Sequence, residues 1–410
     1  VLVSLLNSFI RDGAMRLEDN SGRLHRIGDD GPPVCTTRLH NSLSKFKLAL
    51  NPCLTVLEGF MDGDISVTEG RLYDFLEVCA RNYHHLEQRP FVRFVDWFDR
   101  ARLGQYNPVD RARRNVAHHY DLSDDLYRLF LDDDRQYSCA YFENIEQSLE
   151  DAQLAKKRHI ASKLKLEPGN KILDIGCGWG GLGLYLAKAA EVDVTGITLS
   201  VEQQRIAQRR VGDEQLSDRV RFHLQDYRDE DTKYDRIVSV GMFEHVGRRN
   251  YGEFFSKIQD LLTDDGVMLL HSIGRFNTPS PINPFIRKYI FPGADLPSLS
   301  EVMSAIEPLG LLVTDVEIQR LHYAETLRKW RERFTARKEE ADRIYDERFC
   351  VMWEIYLAIC ELGFRYQQLM VFQIQLTKSL EAVPLTRDYM FEWERRQAKR
   401  DRKQQGQRAA

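Results

Sequence analysis

The chain has 410 residues, with 58 Lys and Arg against 62 Asp and Glu, a formal net charge of −4. Hydrophobic residues at 43% and charged residues at 29% make it globular rather than disordered or fibrous, with length for two or three domains of about 100–200 residues each. The near-neutral balance argues against a chain-wide electrostatic grip on nucleic acid, so no nucleic-acid partner is assigned.

In chain order, Val1–Gly13 is apolar for a short span without a basic leader, and predicts a first helix rather than a signal peptide. It opens a small unit over residues 1–95, with strand-like pieces at Ser21–Arg26 and Cys35–Leu39, a turn at Gly59–Asp64 and a helix at Thr68–Leu86. Residues 96–165 read as a mostly helical connector. It contains the basic run Arg111–Arg114, read as a solvated helix face, and the pair His118-His119. That pair lacks a carboxylate at metal-ligand spacing, and no metal is assigned. The small and aromatic stretch Tyr137–Phe142 interrupts the helices, and another helix follows over Leu149–Leu164.

From Lys171 the pattern alternates. Strands are predicted at Lys171–Ile175, Asp193–Ile197, Val220–Leu224, Asp235–Val240 and Val267–Ser272, with helices at Gly180–Ala190, Val201–Val211 and Tyr251–Leu262. Short β-rich runs separated by helices indicate an α/β fold on a mostly parallel sheet. The prolines between Gly274 and Pro297 predict a loop or lid, long helices follow between Tyr323 and Gly363, and Leu369–Thr377 reads as one more strand. The seven cysteines are dispersed and never form CxxC, which favours a reducing compartment over a disulfide framework. No 18-residue uncharged apolar run occurs, so a spanning helix is not expected.

The strongest local signal is Ile172-Leu173-Asp174-Ile175-Gly176-Cys177-Gly178-Trp179-Gly180-Gly181, a strand running into glycines that open a helix. It fits both a dinucleotide fingerprint and an S-adenosylmethionine (AdoMet) loop. A dinucleotide site expects an acid at the end of the second strand, where this chain has Gly196-Ile197-Thr198-Leu199-Ser200. Gln225-Asp226-Tyr227, after the third strand, offers an acid and a ring to adenine instead. Glu244 and His271 both follow predicted strands, at the edge where open α/β sheets bind ligands.

Six ordered blocks together resemble the cyclopropane-fatty-acyl-phospholipid synthases and their mycolic acid relatives: Tyr137–Phe142, Ile172–Gly181, Gly196–Gln204, Gln225–Asp229, Ser239–Gly247 and Leu270–Gly274. The resemblance covers about residues 115–380. It implies a Rossmann-like AdoMet-dependent methyltransferase with a seven-stranded sheet, a smaller N-terminal α+β lipid-binding-like domain (1–95), a connector and active-site cover (96–165), and a catalytic domain (166–392) with helical lid insertions at about 274–365. It further implies transfer of the AdoMet methyl carbon to a cis double bond of an unsaturated phospholipid acyl chain, through a carbocation that loses a proton to close a cyclopropane ring. The implied bicarbonate ligands are Cys139, Glu244, His271, Ile273 through its backbone, and Tyr323, with Cys360 at a further activity-associated position. The implied AdoMet contacts are Tyr137, Ser138, Asp174, Gly176, Gly178, Gly180, Thr198, Gln203, Asp226 and Tyr227. The pocket is expected to be lined by aromatics, among them Tyr141, Phe142 and Phe243.

A methyl-branched or methylene product shares the first transfer and is the close alternative; a non-catalytic lipid-binding protein and a small-molecule methyltransferase are the others. The resemblance is compatible with a homodimer, and a lipid substrate implies a cytoplasmic enzyme at the inner face of the membrane. The segment Trp393–Ala410 bears seven cations against Glu394 and Asp401, leaving −9 on the rest of the chain. This basic tail is either a frayed, solvated helix or a contact for anionic lipid.

Overall fold

The computed structural model describes residues 2–28, 31–87 and 123–409. The basic run Arg111–Arg114 and the pair His118-His119 lie outside the described residues. The described residues divide into two compact units, one comprising those up to Glu87 with Ser280–Pro292 and Leu327–Leu369, the other the rest of those from Ser123 onward.

The first unit carries a four-stranded sheet of order β2-β1-β3-β4, built from β1 (Met15–Glu18), β2 (Leu24–Ile27), β3 (Thr36–Leu39) and β4 (Ile65–Glu69). Gly59 to Met61, expected as a turn, complete the helix Pro52–Met61. The helix expected over Thr68–Leu86 is instead the end of β4 followed by helices Leu72–Arg81 and Tyr83–Glu87. Gly70 forces the break: it sits at φ +80°, and a Cβ there would lie 2.7 Å from the Val34 carbonyl oxygen. Helix Glu347–Tyr366 packs on helices Pro52–Met61 and Leu72–Arg81. Its buried Glu361 accepts from Tyr73, Arg331 and Arg365 at 2.9–3.0 Å. An apolar cavity of about 710 Å³ opens in this unit, lined by Phe9, Leu57, Phe75 and Leu362 among others.

The second unit is a seven-stranded sheet of order β10-β11-β9-β8-β5-β6-β7. Its strands are β5 (Lys171–Ile175), β6 (Asp193–Thr198), β7 (Val220–Leu224), β8 (Tyr234–Val240), β9 (Leu262–Arg275), β10 (Leu312–Gln319) and β11 (Leu369–Thr377). β5 pairs in parallel with both β6 and β8, β7 extends one side and β9 the other, and β10 runs antiparallel to β11. Alternate residues feed two cores, one on each face: Leu173, Ile237 and Leu270 pack with helix Tyr251–Leu261, whereas Ile172, Val238 and Leu269 pack with Leu184 and Ala207. Strands covered on both faces are the hallmark of a parallel α/β sheet. Chain order reverses between β5 and β8, so their C-terminal ends diverge and leave a crevice.

Two features depart from the sequence reading here. β9 continues past Ser272 to Arg275, and the proline-bearing stretch after it includes a π-helical turn at Ile286–Ile290. β10 was not expected, although Asp315 to Gln319 alternate polar and apolar residues; both of its acids are engaged by cations, Lys163 and Arg387 on Asp315 and Lys163 and His159 on Glu317. The C-terminal segment is a 22-residue helix, Asp388–Ala409, packed on helix Leu149–Lys163. Glu394 bonds His159 at 2.9 Å and Asp401 bonds Arg158 at 3.1 Å, so both acids of the tail are engaged by that helix. Arg395, Arg396, Lys399, Arg400, Arg402 and Lys403 are all exposed.

Candidate active site

The crevice at the β5/β8 reversal is a cavity of about 1170 Å³ including its open mouth. Its floor is the β5–helix turn. Gly176 (φ +82°) faces Met242, whose Cβ would be 2.8 Å from any added Cβ, whereas an added Cβ at Gly178 (φ +54°) meets nothing within 4 Å among the described residues. Asp174, at the end of β5, is 2% exposed with Oδ2 lacking a hydrogen-bond partner among the described residues, and burial pushes its pKa up to about 7. Thr198, ending β6, donates to Gln203 at 3.1 Å, while Ser200 caps the next helix at Gln203 N. Asp226, following β7, is buried and takes two hydrogen bonds from the Arg228 guanidinium, at 2.8 and 2.9 Å, and a third from its backbone N–H at 3.0 Å.

Nine of the ten residues expected to contact AdoMet line this cavity. Gly180 does not: it caps helix Gly181–Ala190 at φ +80°, and a Cβ there would lie 2.7 Å from the Phe222 ring. Trp179, Arg228, Met242 and His245 also line it and were not expected. His245 is half-buried, and desolvation lowers its pKa to about 4 and keeps the ring neutral.

The residues expected to hold bicarbonate do not line that cavity. Two segments, however, serve both places. In the turn after β8, Met242, His245 and Val246 face the cavity, whereas the Glu244 carboxylate accepts from Ile273 N at 2.7 Å. Gly241 N, in the same turn, donates to the His271 carbonyl at 2.9 Å. In the other segment Tyr137 and Ser138 face the cavity, and the next residue, Cys139, donates its thiol to Gln319 at 3.7 Å.

Glu244 is 5% exposed and its Oε2 has no hydrogen-bond partner among the described residues. Burial raises its pKa to about 7, against the hydrogen bond from Ile273. His271 is 2% exposed, and burial lowers it to about 3. Gln373 on β11 donates to its Nδ1 at 3.1 Å, so the neutral ring carries its proton on Nε2. Burial also raises the Cys139 thiol, leaving it protonated. Tyr323 is buried near the start of helix His322–Ala336. Cys360 lies in the first unit, on helix Glu347–Tyr366, raised to about 12 by burial. Of the aromatics expected to line a pocket, Tyr141 stacks between His159 and His322, with Phe142 also against His322, and Phe243 is core, packed on Tyr251 and Phe254.

The buried groups on and beside β9, β10 and β11 therefore include a protonatable acid, a neutral imidazole with an Nε2 donor and an undissociated thiol. That donor set suits a small oxyanion, and the unpartnered Glu244 Oε2 and Gln319 Nε2 are buried polar atoms short of partners. Gln319 and Gln373 were missed in the sequence: each reads as an alternating strand residue, and only the β10/β11 pairing brings them to one face.

The sequence profile of mycolic acid cyclopropane synthetases matches residues 108–374. The chain belongs to that family. The cyclopropane-fatty-acyl-phospholipid synthase of Escherichia coli K12 is 43% identical over 281 residues, 68% of this chain and 72% of its own length. The tuberculostearic acid methyltransferase UfaA1 of Mycobacterium tuberculosis is 37% identical over 342 residues, 80% of this chain and 75% of its own. Among solved structures, the mycolic acid cyclopropane synthase CmaA1 complexed with SAH and CTAB superposes with a TM-score of 0.62 at 38% identity, over 64% of this chain and 97% of CmaA1. This cyclopropane synthetase-family protein is an AdoMet-dependent methyltransferase.

Proposed function

We propose that the enzyme transfers the AdoMet methyl carbon to a cis double bond of a phospholipid acyl chain and closes a cyclopropane ring. The observation carrying this reading is the turn Gly241–Val246, which lines the donor cavity on one side and places the buried Glu244 carboxylate on the Ile273 amide on the other. The alkene pair forms the new carbon–carbon bond as the sulfur–carbon pair stays with sulfur. The C–H pair of the transferred carbon then closes the ring onto the neighbouring cationic carbon, and the proton leaves to the cluster. AdoMet supplies the electrophilic methyl carbon when bound in the cavity.

The residues that would hold bicarbonate are Cys139, Glu244, His271 and Tyr323, with Ile273, whose amide Glu244 already engages; the ion would supply a proton-accepting oxygen. His271, kept neutral, donates from Nε2 and orients an oxyanion without adding a competing positive charge. Glu244 exchanges a proton near neutral pH, and burial of both excludes the water that would trap a carbocation.

The apolar cavity of the first unit supports an acyl-chain contact there. The exposed cations of helix Asp388–Ala409 support transient attraction to an anionic membrane surface, and among the described residues no helix is long and apolar enough to cross a membrane. Incubation with AdoMet and unsaturated phospholipid vesicles is expected to add 14 mass units to the acyl chain with release of S-adenosylhomocysteine. Unchanged lipid alongside measured AdoMet binding would overturn the reading. A second reading, transfer without ring closure, is favoured by the likeness to a tuberculostearic acid methyltransferase over 80% of the chain. NMR of the product separates cyclopropane from methyl-branched or methylene carbon.

A further inference from the structure

Helix Leu149–Lys163 buries an unusual share of its polar side chains, among them Gln153, Lys156, Arg158 and His159. Two of these, one helical turn apart, hold the segment that forms a wall of the donor cavity. Gln153 Nε2 donates to the carbonyls of Gln136 and Ser138, at 3.2 and 3.0 Å. Lys156 Nζ donates to Gln136 Oε1 at 2.5 Å and Ser138 Oγ at 2.8 Å. Gln136 and Ser138 both line the cavity, with Tyr137 between them.

Lys156 is 1% exposed, and both partners are neutral; among the described residues it makes no ion pair within 4 Å. Burying a lysine ammonium disfavours its charge, which the nearby Asp132 and Asp134 offset in part. The ammonium's field reaches both halves of the site: it favours ionised Asp174 in the cavity and disfavours protonation of His271 in the cluster. Burial pushes Lys156 itself down to about 8, so it stays largely charged at neutral pH.

We propose that Lys156 is a positioning residue of the transfer site, whose buried ammonium fixes the Gln136–Ser138 wall of the donor cavity. The inference rests on the AdoMet cavity proposed above, and is independent of which lipid is modified.

The test is AdoMet affinity of the full chain by calorimetry, with Lys156→Met, Lys156→Arg, Ser138→Ala and the Lys156→Met/Ser138→Ala double variant. Lys156→Met is expected to weaken AdoMet roughly tenfold and raise its KM while kcat changes less than about threefold. Lys156→Arg should recover most of that loss. Ser138→Ala should weaken binding about threefold, and the double variant should be no weaker than Lys156→Met alone, because the two act through one contact. Affinity within twofold of the parent in Lys156→Met, or strictly additive losses, overturns the proposal. If Lys156→Met fails to fold, Ser138→Ala decides: unchanged affinity there overturns it equally. Vesicle turnover by the unmodified enzyme is scored separately, so failure of the lipid reading leaves the binding result interpretable.

Discussion

The donor cavity and the Glu244–His271 cluster share the turn Gly241–Val246 and the Tyr137–Cys139 segment, yet are built by opposite means. The cavity is open, and its backbone is shaped by glycines at positive φ in one contiguous strand–turn–helix. The cluster is closed, and its groups come from separated stretches: Cys139, Glu244, β9, and the glutamines of β10 and β11. One presents backbone and short polar groups to a ligand that arrives and leaves. The other holds an acid poised to exchange its proton near neutral pH beside an uncharged base, in a dry place where an added charge is felt strongly. Binding and proton transfer should therefore separate under mutation.

The largest expected effect is on the cluster. Glu244→Ala should lower lipid turnover by roughly 10²–10⁴-fold, with AdoMet affinity by calorimetry within about twofold of the parent. A comparable loss in both would mean that the shared turn has collapsed, and that the two regions are one. Next comes the cavity floor. Gly178→Ala places a Cβ where, among the described residues, no atom lies within 4 Å, so it should weaken AdoMet binding about tenfold or more, with a stability loss of about 1–2 kcal/mol from the left-handed backbone. Gly180→Ala, beside the Phe222 ring, should reverse that balance, losing more in the thermal melt than in affinity. Equal affinity losses at both positions would contradict the division between lining and packing glycines.

The same contrast explains what the sequence could disclose. β5, β7 and β11 were predicted to the residue: β5 and β11 are largely buried apolar runs, and β7 alternates buried Val220 and Phe222 with exposed Arg221 and His223. The cavity was legible because its floor is one contiguous motif. Gln319, Gln373 and Lys156 were not. Each is an ordinary polar residue in its own stretch, and only strand pairing or helix docking turns it inward. The tail was half legible: its charge was countable, but that Glu394 and Asp401 would be engaged by helix Leu149–Lys163, leaving the exposed residues from 395 to 403 free of acids, needed the docked helix.

The smallest predicted effect is the most direct check on the cluster's charge state. Burial raises Glu244 to about 7 from its ordinary 4.5, so the native state holds this proton more tightly than the unfolded chain. Stability contributed this way is present below the unfolded pKa and is lost as pH rises toward 7. Glutamine at 244 cannot ionise, keeps an oxygen for the Ile273 amide and fills the same volume. Glu244→Gln should therefore melt within about 1 °C of the parent at pH 5, and a few degrees above it at pH 8, measured without AdoMet. Asp174 and His271 titrate alike in both proteins and cancel in the difference, to the extent that neither feels residue 244. A pH-independent difference would mean that Glu244 is solvated enough to ionise freely. It would then resemble the open cavity rather than the closed cluster, and its role in proton exchange near neutral pH would fall with it.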